Sequence, residues 1–160
     1  MFETGNLLFF NPFIFKNGAK PQNKFMLVLG EDTNGNAVLA SLPTSKDHVP
    51  GDVVLKSGCI EMPERQVNVF VFMADECVVE SDGTGQAAFA FDVNTFVYGM
   101  DLDTYPIIAF QQQLSDGETK VKLIGKLSDA HFDALRECLQ NSKMVKNKYK
   151  RLIAGNRPIS

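Results

Sequence analysis

Short apolar runs alternate with clusters of Gly, Asn, Asp and Pro over most of the chain. Apolar runs of about four to eight residues between such turn-forming residues are typical of β-strands. The pattern therefore predicts a succession of short strands. They are Leu7–Phe15 (broken at Asn11-Pro12), Lys24–Leu29, Ala37–Leu42, Val53–Leu55, Cys59–Met62, Val67–Met73, Glu76–Glu80, Ala87–Phe91, Thr95–Tyr98, Pro106–Gln112 and Lys120–Ile124.

Two turns predict hairpins. Asn34-Gly35 separates Lys24–Leu29 from Ala37–Leu42, and Asn-Gly between apolar runs is a strong hairpin signal. Ser115–Glu118 separates the last two predicted strands and predicts a second hairpin. Val67–Met73 is apolar on both of its alternating faces, which predicts a strand that is covered on both sides.

The period of the apolar residues changes near Ser128. Ser128 is a good N-cap, and Asp129 in the first turn suits the helix dipole. Apolar side chains then recur at helical spacing in two segments, at Phe132, Leu135, Cys138 and Leu139 and again over Met144–Ile153. Short strands followed by helices predict a mainly β fold, a bent sheet or barrel with helical cover, in one domain of residues 1–160.

Composition adds expectations about compartment and cofactors. Cys59, Cys77 and Cys138 are widely spaced and form no CxxC or Cys/His cluster, so we expect reduced, buried thiols and no metal or cofactor. No apolar run approaches the length of a transmembrane helix, and the first residues lack the basic part of a signal peptide. We therefore expect a cytoplasmic protein without membrane contact.

Charge is divided unevenly along the chain. Residues 143–160 carry six basic residues and no acid, whereas residues 1–142 carry 10 basic and 19 acidic residues. Such a division indicates that the tail meets either the acidic body or an acidic partner. RNA affinity depends largely on neutralised phosphates, so the tail is the expected basic track for a nucleic acid, or else a solvated helix face.

The polar cluster Pro43-Thr44-Ser45-Lys46 follows the third predicted strand. The hairpin at Asn34-Gly35 would bring Lys24, at the start of its partner strand, to the same end. An ammonium beside two hydroxyls can hold a phosphodiester and stabilise the charge that develops at phosphorus. The same residues also fit an ordinary turn.

The order of motifs resembles the MazF/PemK/Kid toxins. The matching residues are Gly5-Asn6-Leu7, Lys24–Leu29, Leu42–Ser45, His48–Pro50 with Asp52–Leu55, Val67–Val79 and Ile124–Ser128, with Ser142 near the end of the final helix. The resemblance implies an SH3-like β-barrel and a homodimer. It also implies a metal-independent endoribonuclease that cleaves single-stranded RNA and is neutralised by an antitoxin protein.

The resemblance also assigns roles. Thr44 or Ser45 matches the family's catalytic hydroxyl, and Lys24 matches the arginine that stabilises the transition state. Lysine is a departure, because it offers a point charge where arginine offers a planar fork. The acidic loop that precedes this arginine in the family is missing from Asn17–Asn23.

Nearby residues complete the candidate site. His48 and Asp47 are candidates for moving the proton, since a His side chain titrates near neutral pH. Lys20, Lys46 and Asp47 are candidates for binding the substrate. His131 is expected to be a surface side chain.

The domain prediction places the barrel core in residues 1–80 and 120–127 and the helical cover and basic tail in residues 128–153. Residues 81–119 are read as an insertion, and the family pattern is absent as far as residue 123. The aromatic residues of this segment, Phe89, Phe91, Phe96 and Tyr98, are expected in the core or an interface, with stacking on bases as the alternative. A catalytically degenerate barrel that binds a protein or nucleic acid without cutting is the alternative function.

Overall fold

The strands of the computed structural model, which describes residues 1–155, follow the apolar runs of the sequence. They are β1 (Asn6–Phe13), β2 (Gln22–Glu31), β3 (Asn36–Ser41), β4 (Gly58–Met62), β5 (Val67–Phe72), β6 (Cys77–Val79), β7 (Phe89–Ala90), β8 (Thr95–Tyr98), β9 (Asp103–Pro106) and β10 (Lys120–Lys126). The helices are α1 (Ile107–Ser115), α2 (Asp129–Gln140) and α3 (Asn147–Gly155). The predicted mainly β class with C-terminal helices is confirmed.

The strands form two larger antiparallel sheets and a short ribbon. The five-stranded sheet has the order β10-β1-β2-β3-β9, the three-stranded sheet has the order β4-β5-β8, and β6 pairs with β7. The two larger sheets meet where the backbone N–H of Phe96 donates to the carbonyl of Pro43 at 2.9 Å. The two larger sheets are therefore separate in their strand pairing and are linked here by a backbone hydrogen bond, and the SH3-like barrel stays a prediction.

Each larger sheet has an apolar face that packs on another layer. The main core lies between the two sheets and the helices α2 and α3, and it includes Leu27, Val38, Phe70, Leu135 and Tyr149. A second core covers the other face of the five-stranded sheet, where α1 contributes Phe110. Phe25 joins Phe89 and Phe91 in ring contacts of 5.4–5.6 Å beside the main core. Phe89 and Phe91, two of the aromatic residues of the segment 81–119, therefore pack with the main core.

Two predicted strands are wrong. The hairpin predicted around Ser115–Glu118 is wrong as well, because it needed one of them. Val53–Leu55 is irregular, and residues 107–112 belong to α1 instead of a strand. The apolar residues of Ile107–Leu114 are spaced so that one face of the helix contacts the second core. A short apolar run of this kind does not by itself distinguish a helix from a strand. β10 pairs with β1 across the sheet, with Asn6 opposite Lys126.

Residues 81–119 are integrated into both larger sheets. β8 pairs with β5, and β9 pairs with β3 at the sheet edge. The segment therefore supplies strands to the framework that residues 1–80 begin.

The prediction of reduced, buried thiols is wrong for all three cysteines, although the free state of Cys77 agrees with it. Cys59 and Cys138 form a disulfide across a sequence separation of 79, with their Cα atoms 5.5 Å apart. Cys77 is free and exposed, so it is not a buried thiol. The pairing depends on β4 packing against α2, a contact that no spacing in the sequence reveals.

Candidate functional site

The β2–β3 hairpin places Lys24 beside the segment that follows β3. Met26 lies opposite Ser41, and the carbonyl of Phe25 accepts a hydrogen bond from the backbone N–H of Leu42 at 3.3 Å. Lys24 is therefore carried to the same end of the hairpin as Pro43. The prediction that Lys24 approaches this end is confirmed.

The segment after β3 is fixed on the three-stranded sheet. The hydrogen bond between Phe96 and Pro43 holds its start, and the Tyr98 hydroxyl donates to the carbonyl of Ser45 at 2.7 Å. The backbone N–H of Val49 then donates to the carbonyl of Lys46 at 3.2 Å and forms a turn. These bonds fold residues 43–49 over the edge of β8.

A pocket of about 180 Å³ lies between this segment and the end of the hairpin. The 3₁₀ turn Gly99–Asp101 that follows β8 forms part of its wall. The lining residues are Lys24, Ser41, Pro43, Asp47, His48, Tyr98 and Asp101. The pocket thus contains an ammonium, an imidazole, a phenol and two carboxylates.

His48 is the central titratable group of the pocket. Its Nε2 lies 3.7 Å from Asp101 Oδ2, and its ring meets the Tyr98 ring edge-on at 4.9 Å. The aromatic contact restricts the orientation of the ring. About half of the His48 side chain is exposed, at 47%, so its proton can exchange with solvent or a ligand.

Tyr98 stays protonated at neutral pH. Burial raises the pKa of its hydroxyl, the carboxylates of Asp47 and Asp101 raise it further, and a hydrogen bond from the His48 backbone opposes them in part. The phenol therefore acts as a hydrogen-bond donor, and its proton is engaged by Ser45. Its role in the pocket is to position the loop and the imidazole.

Three of the sequence-predicted site residues line this pocket and four do not. Lys24, Asp47 and His48 meet there. Thr44, Ser45, Lys46 and Lys20 are exposed outside its lining, and Ser45 Oγ donates to Asp47 Oδ2 at 2.7 Å. The ammonium therefore shares the pocket with two carboxylates and an imidazole, and the two candidate hydroxyls lie outside the lining.

Sequence reasoning missed Tyr98 and Asp101 as site residues. Tyr98 was assigned to an aromatic group of the insertion, and Asp101 was given no role. Both are more than 50 positions from the polar cluster, so only the pairing of β8 with β5 and the link to Pro43 bring them close. No local pattern marks either residue.

The described part of the basic tail lies on the other face of the five-stranded sheet from Lys24. Val145, Tyr149 and Ile153 share the main core with Leu27 and Leu29 of β2. Lys24 alternates with Met26 and Val28, which belong to the second core. The tail meets the body through apolar side chains, whereas Lys143, Lys146 and Lys148 are exposed and Lys150 is half-buried. Arg157 lies outside the described residues.

A second polar network surrounds the start of α2. Glu76 Oε1 lies 2.6 Å from His131 Nε2 and accepts a hydrogen bond from Ser57 Oγ at 2.8 Å. Ser128 Oγ lies 2.6 Å from His131 Nδ1 and accepts from the His131 backbone N–H at 3.2 Å. His131 is thus a half-buried bridge between α2 and the turn before β6, so its prediction as a surface side chain is wrong.

Among residues 1–155, no group of three or more His, Cys, Asp or Glu side chains is placed to hold a metal ion. No helix in that range is long and apolar enough to cross a membrane.

Comparison with known proteins found no relative. No protein-family model matches the sequence, and no curated protein or solved structure matches it either. The resemblance to the MazF/PemK/Kid toxins therefore depends only on the ordered motifs of the sequence.

Proposed function

We propose that the chain is a MazF/PemK-like endoribonuclease that cleaves single-stranded RNA at the pocket of Lys24, His48 and Asp101. The convergence of Lys24 and His48 in one pocket is the observation that carries the proposal. A cation beside a base is the pair of groups that RNA cleavage by its own 2′-hydroxyl needs. The motif resemblance supports the same reaction.

In the proposed step, His48 Nε2 takes the proton of the ribose 2′-hydroxyl. The 2′-oxygen attacks phosphorus, the bond from phosphorus to the 5′-oxygen breaks, and the leaving oxygen takes a proton from water. The products are a 2′,3′-cyclic phosphate and a 5′-hydroxyl. Lys24 stabilises the negative charge that develops on the phosphoryl oxygens, and Asp101 favours the imidazolium after proton transfer.

Thr44 and Ser45 have a smaller role in this scheme than the family match gives them. Thr44 is exposed outside the pocket lining, and the Ser45 hydroxyl is bonded to Asp47. Thr44 and Lys46 lie on the loop that borders the pocket, where they can contact RNA outside it, as can Lys20 on its own loop.

The test is cleavage of a fluorescent single-stranded RNA by the wild type and by matched variants. Lys24→Ala and His48→Ala are expected to lower the rate by about 100-fold or more, because each removes a group that acts in the transition state. Lys122→Ala makes the same charge change at an exposed position of β10 that does not line the pocket, and it is expected to keep activity within a few-fold. Absence of cleavage by the wild type would exclude the enzyme, and full activity of His48→Ala would exclude the assigned base.

A non-cleaving binding module is the second candidate, and the charge of the pocket favours it. Asp47 and Asp101 add two carboxylates to the pocket that Lys24 lines, and the described basic tail lies on the opposite sheet face. Carboxylates repel RNA phosphates and suit a basic group of a protein partner. Gel-shift and pull-down experiments in which the wild type binds without cutting RNA would establish this function.

The remaining parts of the proposal concern partners and place of action. A ribonuclease of this type would act in the cytoplasm as a homodimer and be neutralised by an antitoxin protein. Sedimentation of the purified chain measures the dimer. Co-expression with the product of a neighbouring small gene, followed by growth measurement, tests the antitoxin.

A further inference from the structure

The disulfide between Cys59 and Cys138 lies where a small reductant can reach it. Cys59 is exposed on β4, and both cysteines line a cavity of about 290 Å³ between β4, β5 and α2. The cavity gives a dithiol access to the bond and leaves the two sulfur atoms room to separate once the bond is opened. Disulfides in cytosolic proteins are usually transient, and many of them sense the redox state.

Cys138 holds the side chain of Asn68, which lies in β5. Asn68 Nδ2 donates to the carbonyl of Cys138 at 3.3 Å and contacts Cys138 Sγ at 3.5 Å. Asn68 is buried, and its Oδ1 accepts no hydrogen bond from any residue that the structure describes. The orientation of this buried amide therefore depends on Cys138, because the other end of the amide has no partner.

The unbonded end of the amide packs against the turn that borders the pocket of the proposed ribonuclease. Asn68 Oδ1 lies so close to Gly99 that a Cβ on this glycine would be only 2.1 Å away. Gly99 begins the 3₁₀ turn that ends at Asp101, and Asp101 Oδ2 lies 3.7 Å from His48 Nε2. Close packing transmits displacements, so a series of contacts connects Cys138 through Asn68 and the turn to His48.

We propose that the disulfide is a redox switch that controls the pocket of Lys24 and His48. This inference rests on the proposed ribonuclease function, because it names the regulation of that site. The reductant is a dithiol. Its thiolate attacks one cysteine sulfur, and its second thiol displaces the other. The dithiol is oxidised to a cyclic disulfide, and its two protons end on the two cysteine thiols.

Reduction acts on the pocket through the amide. Cys138 loses its tie to β4, which weakens the hydrogen bonds that fix Asn68. The turn then relaxes and carries Asp101 away from His48. The oxidised protein is therefore the active form, and the reduced protein is the less active one.

Two measurements on the full chain test the switch, and one of them needs no RNA cleavage. The ¹⁵N spectra of the oxidised protein and of the protein in excess dithiothreitol should differ at residues 47–49 and 99–101 as well as beside the cysteines. Cleavage of a fluorescent single-stranded RNA should be about fivefold or more slower in the reduced protein, because Asp101 no longer assists His48. Reoxidation should restore the rate.

Variants separate the switch from other effects of the reductant. Cys59→Ser should behave as the reduced protein does, with and without dithiothreitol. Cys77→Ser leaves the disulfide intact and should respond as the wild type does. Asn68→Ala removes the link to the turn, so its disulfide should form without changing the rate. The wild-type spectra decide the question if Asn68→Ala does not fold.

The outcomes separate the switch from the ribonuclease. Spectral changes at residues 47–49 and 99–101 without any RNA cleavage would support the switch and exclude the ribonuclease. Cleavage at equal rates in the two redox states would overturn the switch and support the ribonuclease. Spectral changes confined to β4, β5 and α2 would also overturn the switch.

Discussion

A single carbon added at Gly99 would meet buried side chains at short range. A Cβ there would lie 2.1 Å from Asn68 Oδ1 and 2.8 Å from Val145 Cγ2. Asn68 is only 5% exposed, and its Nδ2 donates to the carbonyl of Cys138 at 3.3 Å, so it cannot move aside freely. Glycine at this position therefore lets the start of the turn after β8 approach β5.

We predict that Gly99→Ala lowers the free energy of unfolding by about 1–3 kcal/mol, because the added methyl group forces buried side chains to shift. Urea denaturation followed by circular dichroism measures the change. Gly85→Ala is the matched control, since no atom lies within 4 Å of a Cβ at that site. A loss in Gly99→Ala no larger than in the control would contradict the packing explanation.

Glu76 predicts a dependence of stability on pH. Burial alone would raise the pKa of its carboxyl, but hydrogen bonds from Ser57 and His131 and the charge of His131 lower it on balance. A folded-state pKa below the unfolded value means that the stabilising contribution is complete above the unfolded pKa and is lost as pH falls through the folded pKa.

We therefore expect the wild type to lose stability below about pH 4.5, near the ordinary pKa of glutamate, and Glu76→Gln to show a smaller decrease over that range. Thermal unfolding at a series of pH values measures both. Glu118→Gln is the control, because Glu118 is exposed in the turn between α1 and β10. Parallel pH profiles for the wild type and Glu76→Gln would contradict the assignment.

At the scale of elements, the start of α2 is defined by its cap. Ser128 Oγ accepts from the His131 backbone N–H, and the Ser128 backbone N–H donates to the carbonyl of Val78 at 2.8 Å. The same residue therefore begins the helix and attaches it to β6. The cap was predictable from sequence, whereas the attachment to β6 was not.

We predict that Ser128→Ala lowers the free energy of unfolding by about 1 kcal/mol, because it leaves a helix N–H without its acceptor. Ser128→Thr keeps a hydroxyl at this position and should retain most of the stability. Chemical denaturation of both variants measures the difference. Equal stability of the alanine variant and the wild type would show that the cap makes no net contribution.

At the scale of the whole molecule, the disulfide joins the three-stranded sheet to the helical layer. Cys59 in β4 and Cys138 in α2 close a loop with a sequence separation of 79. A cross-link of this kind limits the freedom of the unfolded chain. In a cytoplasm that keeps thiols reduced, the same pair would be open, so the state of this bond reports the compartment.

We predict that a reducing agent lowers the free energy of unfolding of the oxidised protein by about 2–4 kcal/mol. Guanidinium denaturation with and without the reductant measures the loss. Cys77→Ser should keep this sensitivity, whereas Cys59→Ser should abolish it. Equal unfolding midpoints of the oxidised and reduced wild type would contradict a stabilising cross-link.

Local patterns predicted the elements that depend on neighbouring residues. The Asn34-Gly35 hairpin, the buried strand β5 and the Ser128 cap each follow from a few adjacent side chains. The strand predicted over residues 107–112 was wrong, because a short apolar run can pack against a core either as a strand or as a helix. The same distinction holds for the candidate site. The position of Lys24 was predicted from a local hairpin, whereas Tyr98 and Asp101 reach the site only through pairing between distant strands.

The sequence by itself determined the mainly β class, the helical end and the meeting of Lys24 with the loop after β3. These depend on turn chemistry and apolar period, which act over a few residues. The tertiary structure alone decided the partners of Lys24 and His48, the Cys59–Cys138 bond and the cavity under α2. Each of these depends on how separate sheets and helices pack, and contacts between distant segments leave no mark in the local pattern of the chain.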